Sequence, residues 1–198
     1  MIKKFLSIVL FLFTVIFFIC GCSKNVNDES KQSRMPQVTS EEAKAKLAEL
    51  SVGLETVYDD MKGFTLYRCR YDTDENINIV PCVLVNDDYS ASLYYHVLYS
   101  GREPLHFDTL YIKTNAGVKK EKYKDVSILY GYNVVEEFNG AMSKEVYDTL
   151  KEAIADGRAK IRLEGRQMEE RNLTLEELEE FKKVFSIYEF LNGVKVEE

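Results

Sequence analysis

Tryptophan is absent from this 198-residue chain, and proline, histidine and cysteine are scarce, with three, two and four copies respectively. So few prolines and only ten glycines exclude a collagen-like or proline-rich chain. Two histidines cannot form a multi-histidine metal centre, and the sequence contains no glycine-rich phosphate loop, GxSxG elbow or HExxH pair. The chain therefore lacks common signatures of enzymes and cofactor-binding proteins, and we expect no cofactor.

The composition is that of a folded, acidic protein. Hydrophobic residues make up 45% of the chain and charged residues 30%, close to the average of globular domains, and the length is typical of one domain. The net charge is −7 and becomes −9 if Lys3 and Lys4 are removed with residues 1–21. Because nucleic-acid binding relies on basic residues that neutralise phosphates, this charge argues against a nucleic-acid partner.

The N-terminus has the pattern of an export signal. Two lysines precede an apolar run over residues 5–19 that only Ser7 and Thr14 interrupt. A membrane-spanning helix needs about 20 apolar residues, so this run is too short for a comfortable span. We predict a signal peptide over residues 1–21, with an uncleaved apolar anchor as the alternative.

The apolar run ends in Ile19-Cys20-Gly21-Cys22, which resembles the lipobox of bacterial lipoproteins: an aliphatic residue, two small residues and the acylated cysteine. The resemblance implies that Cys22 carries a diacylglycerol on its sulfur and becomes the first residue after cleavage. Because acyl chains hold a protein on a membrane, we expect a domain outside the cytoplasm, anchored to the bacterial cell membrane or outer membrane. Residues 22–39 then comprise the lipidated Cys22 and a polar, flexible tether, which leaves residues 40–198 for a single globular domain.

A helical pattern begins at Thr39, which has capping-box spacing with Glu42. Apolar residues then recur at steps of three and four up to a glycine stop at Gly63. This stripe could join two copies of the chain in a coiled coil, but it spans only about three heptads and contains Gly53, so packing on the domain's own sheet is favoured. The apolar positions are Ala43, Leu47, Leu50, Leu54, Val57 and Met61.

The middle of the chain is rich in β-branched and aromatic residues, which predicts strands joined by short polar turns. Such short connections join antiparallel neighbours, so the strands should form a meander. Helices are predicted from a Ser143 cap to a Gly157 stop and from a Thr174 cap onward, on either side of a strand at Ala159–Leu163. The expected class is α+β, an antiparallel meander sheet with an N-terminal helix and two C-terminal helices packed on it. The predicted strands are Phe64–Tyr71, Asn78–Val85, Ala91–Tyr99, Leu105–Thr114, Val126–Tyr130 and Val134–Phe138.

Gly63–Tyr67, Leu105–Asp108 and Ile161–Gly165 are three short segments that carry a family resemblance. They are similar to segments of an uncharacterised family of small bacterial secreted proteins and lipoproteins, over roughly residues 55–190. The resemblance implies an exported single domain and supplies no catalytic residue. This chain departs from the family pattern in having no tryptophan in the middle hairpin near Pro104.

His96, His106 and Asp108 are the one group with the chemistry of a catalytic or metal site. If Ser100–Pro104 turns the chain, His96 lies opposite Asp108 and diagonal to His106, and all three share one face of the sheet. Metal ligation or general base catalysis would then be possible. Histidines in aromatic-rich strands are more often ordinary hydrogen-bonded residues, and we favour that interpretation.

Cys69 and Cys82 are the cysteines that remain once Cys20 leaves with the signal and Cys22 is acylated. Folding their two strands about the midpoint of the connection places residue 69 opposite residue 82, at a separation that a disulfide tolerates. Disulfides persist in exported compartments, so we predict a Cys69–Cys82 bond, with two buried free thiols as an equally weighted alternative.

Three surface features have ordinary explanations that we favour over functional ones. The tyrosines at positions 94, 95, 99 and 111 could furnish a binding surface, but half-buried sheet packing is favoured. Arg162 should pair with a nearby Glu instead of binding an anionic ligand. The acidic residues 169–170 and 176–180 should form the solvated face of a helix.

The tether, the tyrosine-rich sheet and the missing catalytic motifs predict a non-enzymatic binding or interaction module of the cell envelope. Its ligand would be an envelope protein or a small molecule. The alternative is an envelope hydrolase or metal-binding protein that uses His96, His106 and Asp108.

Overall fold

The structure is a computed structural model that describes residues 35–71 and 74–197. The predicted signal peptide, Cys22 and the tether up to residue 34 lie outside the described residues. From Met35 onward the chain forms one compact unit, and its class is α+β, as predicted. In chain order the elements are β1 (Gln37–Thr39), α1 (Ser40–Leu50), β2 (Glu55–Asp59), β3 (Phe64–Arg68), β4 (Ile77–Asn86), β5 (Ala91–Gly101), β6 (Thr109–Lys113), β7 (Val118–Lys122), β8 (Ser127–Tyr130), β9 (Val134–Ala141), α2 (Lys144–Asp156), β10 (Lys160–Glu164), β11 (Met168–Asn172), α3 (Leu175–Gly193) and β12 (Lys195–Glu197).

The larger sheet has six antiparallel strands in the order β2-β3-β4-β5-β9-β8. Its first four strands follow chain order, so the predicted meander is confirmed for this part. After β5 the chain leaves the sheet and returns as β8 and β9. The sheet is therefore a meander that a second sheet interrupts.

The smaller sheet has four antiparallel strands in the order β11-β10-β6-β7. The prediction that Leu105–Thr114 pairs with β5 is wrong, because β6 pairs with β7 and β10 instead. Strands β7 and β11 were not predicted, because their sequences VKKEK and MEERN lack β-branched and aromatic runs. Both are edge strands, where charged side chains are common because they oppose further strand pairing.

The helix caps match the sequence, whereas one helix is shorter than predicted. Capping boxes are present at Thr39 and Thr174, and α2 lies between its Ser143 cap and a left-handed Gly157. The first helix ends at Leu50 and does not reach Gly63, because the next segment pairs with β3 as β2. The predicted tether is also wrong for residues 37–39, which form β1 and pair in parallel with β12.

One hydrophobic core lies against the six-stranded sheet. Helix α3 packs on β4 and β5, and Phe181 of this helix is 1% exposed. Leu175, the first residue of the same helix, is 68% exposed. Across the 35–71 and 74–197 ranges, no helix is both long and apolar enough to cross a membrane.

Side chains alternate between the two faces of the six-stranded sheet. Val83, Tyr95 and Val97 face the core and are buried. Even-numbered residues of β3, β4 and β5 point to the opposite side, which we call the outer face. On that face Tyr94 of β5 and Val57 of β2 are 38% and 44% exposed, so the outer face presents apolar surface to solvent.

Candidate functional site

His96 lies on the outer face, away from the partners predicted for it. In β5 it is opposite Val80 of β4 on one side and Asn139 of β9 on the other. The predicted register, with His96 opposite Asp108, is therefore wrong. The reason is that β5 pairs with β9, a strand more than thirty residues further along the chain, and not with the segment that follows it.

His106 and Asp108 lie in the connection between β5 and β6, where Leu105 and Phe107 are buried in the core. His106 adopts a left-handed backbone with φ of 52°. The fully buried carboxylate of Glu136 accepts hydrogen bonds from the His106 and Phe107 amides at 2.7 and 2.9 Å. This local anchoring explains why the chain departs from the larger sheet here.

Asp108 accepts a hydrogen bond from the Thr109 hydroxyl at 2.6 Å, and its backbone carbonyl accepts one from Tyr123 at 2.7 Å. These contacts belong to the start of β6. In the part of the chain that the structure describes, no group of three His, Cys, Asp or Glu residues has the arrangement to hold a metal ion. His96, His106 and Asp108 thus do not form a joint metal site.

Cys69 and Cys82 are both buried, and both are free thiols. The predicted disulfide is wrong because the strand register differs by one residue: Arg68, not Cys69, lies opposite Cys82. A shift of one residue turns a side chain to the other face of a sheet. Cys69 consequently belongs to the core, whereas Cys82 lines the outer face.

An open groove of about 340 Å³ crosses the outer face and is the candidate site. Its floor is apolar because Leu66 lies opposite Leu84, and Cys82 lies opposite Tyr94. Val57, opposite Leu66, extends the apolar strip to the edge strand β2. We call this feature the outer groove, and its lining residues are Phe64, Leu66, Cys82, Leu84, Tyr94, His96, Asn139 and Gly140.

Hydrogen-bonded polar groups form one border of the outer groove. The Tyr71 hydroxyl and His96 Nδ1 are 2.7 Å apart, and the Arg68 guanidinium lies 5.4 Å from the centre of the Tyr71 ring. Arg68 also donates two hydrogen bonds to Glu55, at 2.8 and 3.0 Å. These contacts fix the His96 ring and Tyr71 in place beside the apolar floor.

The electrostatics of the outer groove favour neutral groups. Burial lowers the pKa of His96, the Arg68 charge lowers it further, and only Glu137 opposes them, so the imidazole is neutral at pH 7. Burial also raises the pKa of Tyr71. Burial raises the pKa of the Cys82 thiol to about 11, against the opposing effect of Arg68. A protonated thiol is a poor nucleophile, so the outer groove is better suited to binding than to covalent catalysis.

The predictions for the tyrosines and for Arg162 agree with the structure, whereas the prediction for residues 169–170 does not. Tyr95 and Tyr99 are core residues and Tyr94 is partly exposed on the outer face, so these tyrosines do not form one surface. Arg162 pairs with Glu170, as predicted, at 2.7 and 2.9 Å. Glu170 lies in β11, however, so residues 169–170 are not part of a helix face.

No protein-family model, curated protein or solved structure matches this chain. The evidence for the candidate site is therefore its geometry. Arg68, Tyr71 and the apolar pair Leu66 and Leu84 were not among the site residues predicted from the sequence. One signal was present: β4 reads INIVPCVLVN, an almost unbroken apolar run, which indicates a strand with apolar residues on both faces.

Proposed function

We propose that this protein is a lipid-anchored envelope protein whose domain binds an apolar segment of a partner protein in the outer groove. The observation that carries the proposal is an open apolar groove, centred on Leu66, Leu84 and Tyr94, with a hydrogen-bonded polar border. Protein interfaces combine an apolar, aromatic centre with a polar rim in the same way. Exposed contiguous apolar surface on a folded domain is itself a mark of an interaction site.

The shape of the outer groove favours a protein over a small molecule. Sites for small ligands enclose most of the ligand surface, whereas this groove is open across β3, β4 and β5. Hydrolysis is supported less well, because His96 has Tyr71 as its hydrogen-bond partner and the nearby Cys82 thiol is protonated at neutral pH. The Tyr71 hydroxyl orients the imidazole, which suits a polar contact at the rim.

Photo-crosslinking at position 94 tests this binding function in intact cells. A benzoylphenylalanine in place of Tyr94 should yield one adduct of defined mass, whereas the same probe at Tyr132, which is fully exposed in a turn, should not. Val57→Lys in the position-94 background should reduce the adduct at least about tenfold, because it puts a charge beside the apolar floor. The readout is an immunoblot of the adduct.

Val118→Lys is the matched control, since Val118 is an exposed valine on an edge strand of the smaller sheet. The position-94 adduct should persist in this variant. Equal adducts from positions 94 and 132, or equal loss in both lysine variants, would contradict binding in the outer groove.

A second experiment addresses the anchor. Cys22→Ala should abolish incorporation of radiolabelled palmitate, because the predicted attachment point for lipid is the Cys22 sulfur. Cys20→Ala is the control and should leave the label in place, since residue 20 is predicted to leave with the signal. Labelling that survives in Cys22→Ala would refute the lipid anchor.

A further inference from the structure

A cluster of basic residues lies on the solvent side of the smaller sheet, although the protein as a whole is acidic. Lys113 of β6 lies directly opposite Lys160 of β10. Two residues beyond this pair, Arg158 donates a hydrogen bond to the side-chain oxygen of Asn115. Like charges directly opposite one another destabilise an antiparallel pair, so this arrangement favours an anion bound beside the two lysines.

These residues line a cleft of about 520 Å³, which we call the basic cleft. Two ammonium groups, a guanidinium and two side-chain amides supply its hydrogen-bond donors. The polar lining residues are Lys113, Thr114, Asn115, Arg158, Lys160 and Asn172.

Two carboxylates approach the basic cleft without neutralising it. Glu170 accepts from Lys160 at 2.9 Å but also from Arg162 at 2.7 Å, so its charge is shared between two cations. Glu152 accepts from the Thr114 hydroxyl at 3.3 Å. Within residues 74–197 and 35–71, no carboxylate forms an ion pair with Lys113 or Arg158. The cleft therefore keeps an excess of positive charge.

We propose that the basic cleft binds a phosphate group. Phosphate oxygens point in several directions, so one group can accept from Arg158 and from the two opposed lysines together. The anion would also relieve the repulsion between Lys113 and Lys160. A soluble phosphate and a lipid headgroup present the same oxygens, and the basic cleft is separate from the outer groove.

Isothermal titration calorimetry of the full-length chain in nonionic detergent tests the site, with inorganic phosphate as the probe at constant ionic strength. The unaltered protein should bind phosphate saturably. The variant Lys113→Gln/Arg158→Gln should weaken the binding at least about tenfold, because it removes two charged donors. Both side chains are exposed, so the fold should be retained, which circular dichroism would verify.

The charge-matched control is Lys124→Gln/Arg166→Gln, which removes one lysine and one arginine from exposed positions outside the basic cleft. Its phosphate affinity should equal that of the unaltered protein. Absence of saturable binding in the unaltered protein would overturn the proposal, as would equal weakening in the two double variants.

Adding phospholipid to the detergent micelles identifies the source of the phosphate. If phosphatidylglycerol suppresses the binding of inorganic phosphate and phosphatidylcholine does not, an anionic lipid headgroup occupies the basic cleft. If neither lipid competes while phosphate still binds, the ligand is soluble. Both outcomes support a phosphate site in the basic cleft, and each shows whether the bound phosphate belongs to a lipid or to a soluble molecule.

Discussion

Replacing Arg171 with methionine is expected to lower the free energy of unfolding by about 3 kcal/mol, because it leaves the largely buried carboxylate of Glu177 without its cation. The two side chains are only 9% and 15% exposed, and their hydrogen bonds measure 2.5 and 2.9 Å. Arg171 also donates to the Ile77 carbonyl at 2.6 Å, which ties β11 to β4. Urea unfolding at pH 7 measures the loss.

The same substitution should change how stability depends on pH. Burial raises the pKa of Glu177, but hydrogen bonds from Arg171 and Thr174 outweigh this effect and hold the pKa below its usual value. The resulting stabilisation is fully present above the unfolded pKa of about 4.3 and is lost as the pH falls through the lower folded pKa. The loss of stability between pH 5 and pH 3 should be smaller in the methionine variant.

Arg166→Met is the control for Arg171→Met, because Arg166 is exposed in the turn before β11. Its unfolding free energy should change by less than about 0.5 kcal/mol. Equal stability of the two variants would show that the Arg171–Glu177 pair contributes nothing to the fold.

Replacing Phe181 with alanine is expected to cost about 3–5 kcal/mol, because it removes a fully buried aromatic side chain and leaves a cavity. Phe181 lies in the middle of α3, on the face that packs on β4 and β5, and is 1% exposed. The thermal midpoint of the purified protein should fall by several degrees or more.

Leu175→Ala on the same helix is the matched control. Leu175 is 68% exposed, so its loss should change the unfolding free energy by less than about 0.5 kcal/mol. A Phe181 variant with an unchanged thermal midpoint would mean that this face of α3 does not stabilise the domain.

The register of β3 against β4 could not be predicted from the turn between them. A symmetric turn places Cys69 opposite Cys82, whereas the core requires Tyr67 beside Val83 and leaves Leu66 beside Leu84 on the outer face. The two registers differ by one residue, and that difference decides which side chains enter the core. It therefore also placed Leu66 in the outer groove beside Leu84 and left Cys69 in the core.

The position of His106 and Asp108 depended on Glu136, which follows them by some thirty residues. Local sequence contains no sign that this carboxylate binds the His106 and Phe107 amides and anchors the chain outside the larger sheet. For the same reason the pairing of β5 with β9, and the basic cleft between β6 and β10, could not be predicted.

The sequence by itself determined the features that arise within a few residues. The Thr39, Ser143 and Thr174 caps and the Gly157 stop are local hydrogen-bond patterns, so they were predicted correctly. Apolar and β-branched content likewise identified β4 and β5 as strands. Only the tertiary structure decided the end of α1, the strand register and the division of the predicted meander between the six-stranded and four-stranded sheets. These features depend on contacts between residues far apart in the chain. Burial of all the apolar residues together contributes more free energy than the secondary-structure propensity of any one segment.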